Sequence, residues 1–176
     1  MKNIGAEPNK TPNAVRTHRR RYNIDIRETD GRVCLMAQYQ FVCYPKCSTC
    51  KKAQKWLDDR DYVYEYRDIS EENPTEEEIR TWHAMSGLPI RKLFNTSGRK
   101  YRELELKKKL DEGISDEEAY RILASDGMLV KRPILIGRNK QGKTVALFGF
   151  SEKAWDDQLF NPRIAIQQYN LNRLVD

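Results

Sequence analysis

The sequence predicts an α/β protein: a mixed sheet with a helical insertion between its second and third strands. Three observations carry that prediction. Two strand-like runs, Tyr39 to Cys43 and Tyr62 to Ile69, flank a segment of helical periodicity. Beyond them lies a long stretch with two helix-start signals, and then two short apolar runs around a glycine-bearing turn, followed by a last helix.

Taken in order, residues 1 to 35 hold Pro8, Pro12, Asn13, Gly31 and scattered charges with little apolar periodicity, and read as a flexible basic arm. Met36 stands just before the first strand and is a candidate natural start, in which case the arm is not native. After Tyr39 to Cys43, the residues Cys50, Ala53, Trp56 and Leu57 recur at helical spacing, with Lys51, Lys52, Lys55, Asp58 and Asp59 on the other faces. Tyr62 to Ile69 is rich in strand formers, and two strands joined by a helix make a parallel unit.

The insertion opens on Thr75-Glu76-Glu77-Glu78, a capping box, with Ile79, Trp82 and Met85 on one face and Gly87-Leu88-Pro89 as a stop. Short helices are predicted from Ile90 to Phe94 and from Tyr101 to Leu110. Ser115-Asp116-Glu117-Glu118 is a second capping box, and Asp126-Gly127 ends its helix. Ile134 to Ile136, a turn from Gly137 to Gly142, and Thr144 to Phe148 form a hairpin, and Ser151 begins the final helix with Trp155 and Leu159. The order strand, helix, strand, helices, strand, strand, helix is a thioredoxin-like arrangement with an expanded middle, spanning residues 36 to 160. Residues 161 to 176 fit neither period and stay unassigned.

The stretch that carries chemistry is Tyr44-Pro45-Lys46-Cys47-Ser48-Thr49-Cys50-Lys51-Lys52, at the strand-to-helix turn. Free backbone N–H groups and the positive end of the helix dipole there favour thiolate at Cys47. Cys50, one turn on, lies on the same side of the helix, at a separation of about 5 to 6 Å that a disulfide can span. A Cys-x-x-Cys pair is either a redox pair or half of a zinc site, and the strand-turn-helix context favours redox. Cys43 ends an apolar strand and reads as a small buried hydrophobe that strand geometry turns away from the turn. No second Cys-x-x-Cys completes a zinc site with Cys34 and Cys43.

Composition narrows the rest. No apolar run approaches the roughly 18 residues that span a bilayer, so no membrane association is expected. Four cysteines and no N-terminal apolar segment point to a reducing cytoplasm rather than export. The formal net charge is +6, of which residues 1 to 35 carry eight basic and four acidic residues, leaving 24 basic against 22 acidic for the remainder. An excess confined largely to an arm is not the footprint of a nucleic-acid surface, and no direct nucleic-acid partner is expected. His83, beside Trp82, reads as a half-buried polar residue, and Lys107-Lys108-Lys109 as a solvated helix face.

With these residues in hand, the chain resembles the arsenate reductase-like family of thioredoxin-fold proteins, in the branch of the Spx regulators and YusI-type proteins. The resemblance is carried by Tyr44 to Ala53, Gly87 to Gly98, Leu129 to Leu135 and Phe148 to Glu152. It implies a nucleophile at Cys47, a resolving partner at Cys50 through an intrachain disulfide, and a cation at Arg132, in an Arg-Pro pair whose proline is cis. In that family three arginines hold arsenate. Only Arg132 is matched, since the other two positions fall on Asn95 and Gly149, leaving Arg91, Lys46 and Arg99 as candidates to compensate. The implied function is thiol-disulfide exchange by a monomer with no bound cofactor. A thiol or disulfide is the implied substrate, and an external thiol such as glutathione or thioredoxin the reductant. The alternative it implies is a redox-switched regulator that docks on the RNA polymerase α subunit.

Overall fold

The computed structural model describes residues 25–29, 32–34 and 39–159. Met36, the rest of the predicted arm and the tail from 161 to 176 lie outside the described residues. Within the arm region, β1 (Asp25–Thr29) and β2 (Arg32–Cys34) pair antiparallel as a separate two-stranded sheet.

The main sheet has four strands: β3 (Tyr39–Cys43), β4 (Tyr64–Asp68), β5 (Ile134–Arg138) and β6 (Thr144–Phe148). Their order is β4-β3-β5-β6. β3 and β4 run parallel through the crossover helix α1 (Ser48–Asp59), whereas β5 is antiparallel to both β3 and β6. This is the expected mixed, thioredoxin-like sheet. Gly137 falls inside β5 opposite Val145, so the hairpin turn starts two residues later than predicted. Asn139 makes that turn: its side-chain oxygen accepts the N–H groups of Gln141 and Lys143, replacing strand pairing with a local closure.

The insertion contains α2 (Glu76–Ser86), α3 (Arg99–Glu103), α4 (Leu106–Glu112) and α5 (Asp116–Ser125). Thr75 and Glu78 form the full reciprocal capping box, and Gly87 closes α2 in the left-handed region at φ 63°. One helix was predicted where α3 and α4 stand. Glu105 breaks it at φ 50°, a conformation no helix interior accommodates, and the break lets Tyr101, Leu106 and Leu110 all reach the core. The last helix, α6 (Glu152–Gln158), is capped by Ser151.

Pleating divides the core between the two faces of the sheet. Val42, Ile134 and Ala146 pack under α2 and α5 with Ile79, Trp82, Phe94 and Leu123. Tyr39, Phe41, Cys43 and Leu135 face the other way, against Cys50, Ala53, Trp56 and Leu57 of α1 and Trp155 of α6.

Candidate functional site

The turn between β3 and α1 is closed by the Cys47 N–H donating to the Tyr44 carbonyl at 3.0 Å, with Pro45 in its second position. Cys47 is the N-cap of α1, extended at φ −83° and ψ 120°, and its Sγ accepts the Cys50 N–H at 3.4 Å. The predicted placement is therefore met. Charge developing on this sulfur would face unpaired N–H groups and the helix dipole. The resting thiol is a different matter. Burial pushes the Cys47 thiol up and contact with the Cys50 thiol adds to this, while the N–H groups of Cys50 and Thr49 oppose them without prevailing. The expected bias toward resting thiolate is thus reversed by desolvation.

Cys50 is 2% exposed on the inner face of α1. Its thiol touches two others, Cys43 and Cys47, and the contact with Cys43 together with burial pushes it far up. All three cysteines are free thiols. Cys43, also 2% exposed, does not turn away as predicted. In a strand of period two it shares the face of Tyr39 and Phe41, which is the face that α1 covers. Those two aromatic residues at i−4 and i−2 were the available signal. The contact with Cys50 holds the Cys43 thiol below the ordinary value, against burial and with help from the Tyr66 hydroxyl. No group of three or more His, Cys, Asp or Glu side chains among the described residues is placed to hold a metal ion.

Arg132 lies at the end of the sheet beside Tyr44, the residue that opens the Cys47 turn. β5 runs antiparallel to β3 with Ile134 opposite Val42, which sets the cis Arg132-Pro133 bond beside the Cys43-Tyr44 end of β3. The guanidinium carbon lies 5.5 Å from the Tyr44 ring centroid, and Nη1 donates to the Gly127 carbonyl at 3.3 Å and meets the Met128 sulfur. Its Nε is buried with no hydrogen-bond partner among the described residues. Asn95 and Gly149 offer no positive charge in place of the missing arginines. Asn95 Nδ2 donates to the Met128 carbonyl, and Gly149, at φ 81°, lies under the Lys131 side chain, where a Cβ would come within 2.9 Å. Arg91 is ion-paired with Asp111 and Arg99 with Glu103, so both guanidiniums are engaged by surface carboxylates. Lys46 is exposed.

A mixed four-stranded sheet, a Cys-x-x-Cys capping the helix after its first strand and a cis proline at the neighbouring strand's entry define a thioredoxin-fold protein. More narrowly, residues 43–157 match the ArsC family, and the chain belongs to it. The chain is 44% identical over 117 residues to YusI of Bacillus subtilis, covering 66% of this chain and 94% of that one. An ArsC family related protein from Bacteroides fragilis superposes with a TM-score of 0.63 at 43% identity, covering 68% of this chain and 95% of the other. The global transcriptional regulator Spx of Staphylococcus aureus is 26% identical over 96 residues, 54% of this chain and 71% of Spx.

Proposed function

We propose that the protein is a thiol-disulfide oxidoreductase in which Cys47 is the nucleophile and Cys50 the resolving thiol. The observation that carries the reading is the position of Cys47 Sγ at the α1 N-cap, accepting the Cys50 N–H, with the Cys50 thiol in contact behind it. Cys47 loses its proton and its sulfur attacks a disulfide substrate, giving a mixed disulfide and one released thiolate. Cys50 then attacks Cys47 Sγ, passing its own proton to the second leaving thiolate. The substrate leaves as two thiols, and the chain holds one Cys47–Cys50 disulfide. Glutathione or thioredoxin reopens it in a reducing cytoplasm.

Arg132 is the group that would steady the Cys47 thiolate or an anionic substrate, because its Nε is buried beside the turn without a partner. Arsenate fits less well than a disulfide, since two of the family's three oxyanion arginines are replaced by Asn95 and Gly149.

The deciding experiment uses Cys50→Ser incubated with glutathione disulfide. Resolution is blocked, so mass spectrometry is expected to find glutathione on Cys47. A chain that stays unmodified at Cys47 rejects the reading.

Similarity to Spx favours one second reading, a redox-switched regulator that docks on the RNA polymerase α subunit. Pull-down of that subunit with oxidised and reduced protein separates the two. Capture in one redox state without turnover of disulfides supports the regulator.

A further inference from the structure

Under the N-terminus of α1 three sulfurs meet rather than two. Cys50 is the middle one, in contact with Cys47 on its outer side and with Cys43 on its inner side. Beyond Cys43 stands the Tyr66 hydroxyl, on the neighbouring strand where Tyr66 pairs with Phe41. The row therefore runs from the partly exposed Cys47, through the buried Cys50 and Cys43, to a phenol that donates a hydrogen bond into the sheet.

We propose that Cys43 is a third redox cysteine, which attacks Cys50 in the Cys47–Cys50 disulfide and moves the bond inward to Cys43–Cys50. The inference rests on the exchange reading above and extends it by one internal step. In that step the Cys43 sulfur, having lost its proton, displaces Cys47 from Cys50. One S–S bond forms, one breaks, and the Cys47 thiolate takes up a proton. No electron enters or leaves, so no further oxidant is needed.

The arrangement fits this chemistry on three counts. A central thiol in contact with both neighbours brings the three sulfurs within reach of one another, and rotation about the side chains then has to set the attacking and leaving atoms on opposite sides of the sulfur attacked. In the reduced protein the contact with Cys50 and the Tyr66 hydroxyl favour the Cys43 anion, while the contact with Cys43 and burial keep Cys50 protonated. Once Cys50 is in a disulfide its thiol no longer donates, and Tyr66 is the donor left to the Cys43 anion, against burial. Exposure also differs along the row. A Cys47–Cys50 bond can be reached from solvent at Cys47, whereas both ends of a Cys43–Cys50 bond are 2% exposed in the reduced protein. The inner bond would hold the oxidised state out of reach of small thiols and return Cys47 to the surface as a free nucleophile.

Peptide mapping tests this on the full chain in a Cys34→Ser background. The protein is treated with glutathione disulfide, quenched in acid, alkylated with N-ethylmaleimide and digested with trypsin without reduction. Cleavage after Lys46 and Lys51 leaves Cys47 and Cys50 on one peptide and Cys43 on another. The expected product is a cross-linked pair joined through Cys43 and Cys50, with N-ethylmaleimide or glutathione on Cys47. Cys43→Ala should lose the cross-link and accumulate the loop within the peptide from Cys47 to Lys51, with loss of Cys47 alkylation. A wild-type loop at Cys47–Cys50 with Cys43 alkylated throughout overturns the inward step and leaves the exchange reading standing. A cross-link from Cys43 to Cys47 also overturns it. Absence of any disulfide among the three rejects both.

Discussion

Cys47 is pulled two ways by its position. The N–H groups at the start of α1 favour negative charge on its sulfur, and burial with the Cys50 thiol favours the proton, which prevails. Its reactivity should therefore climb with pH through the alkaline range, since only the thiolate attacks. Rates of iodoacetamide labelling at Cys47, located by mass spectrometry in the fully reduced wild type, should have a midpoint above the ordinary thiol value of about 8.5. A midpoint near neutrality would contradict this balance. Arg132 makes a second prediction at the same scale. If its guanidinium favours an anionic substrate, Arg132→Ala should slow exchange with glutathione disulfide by roughly tenfold, the loss of one charged hydrogen bond. Exchange with the uncharged disulfide of mercaptoethanol should change far less. Equal slowing of both would assign Arg132 to structure alone.

Among the elements, α2 shows how a cap can be shared with the sheet. The Glu78 carboxylate closes the helix by accepting the Thr75 N–H at 2.9 Å and also holds Arg67 of β4, with contacts of 2.6 and 3.1 Å. Arg67 is the buried charged residue of the described core, at 7% exposed, and its remaining N–H groups donate to the Glu72 and Asn73 carbonyls. Losing the partner of a buried, hydrogen-bonded charge is costly, and Glu78→Gln should destabilise by about 3 kcal/mol at neutral pH in a denaturant titration. Burial pushes the Glu78 carboxyl up, yet Arg67 and Thr75 outweigh it and hold the group below the usual carboxylate value. The sign follows from that direction. The stabilisation is fully present above the unfolded carboxyl value of about 4.3 and is lost as pH falls through the lower folded value. The gap between wild type and Glu78→Gln should thus close on acidification, and a gap that widened would refute the assignment.

The same element marks where the sequence was legible. Thr75-x-x-Glu78 announced the cap because capping is local chemistry, and Cys47 at the helix start and Arg132 at the strand entry were legible for the same reason. The link from Glu78 to Arg67 was not, because it joins a helix to a strand eleven positions away, through an irregular connection whose path local patterns do not fix. Glu105 gave no warning of the break between α3 and α4, since tertiary packing of Leu106 and Leu110 decides it. Cys43 was misjudged for want of one step: applying the period-two alternation of Tyr39 and Phe41 to the last residue of the strand.

For the whole molecule, the sheet is a partition. Each face has its own apolar filling, and Cys43, Cys47 and Cys50 lie on one side only, while Arg132 stands at the strand ends beside Tyr44. That partition also sorts the three tryptophans. Trp56 and Trp155, edge to face at 5.6 Å, share the cluster of Cys50, whereas Trp82 is on the far side under α2. Sulfur quenches an excited indole only at close range, so the molecule carries two optical reporters of its thiol state and one internal reference. Oxidation should change the emission of the wild type and of Trp82→Phe by the same amplitude, while the double variant Trp56→Phe/Trp155→Phe should lose most of that change.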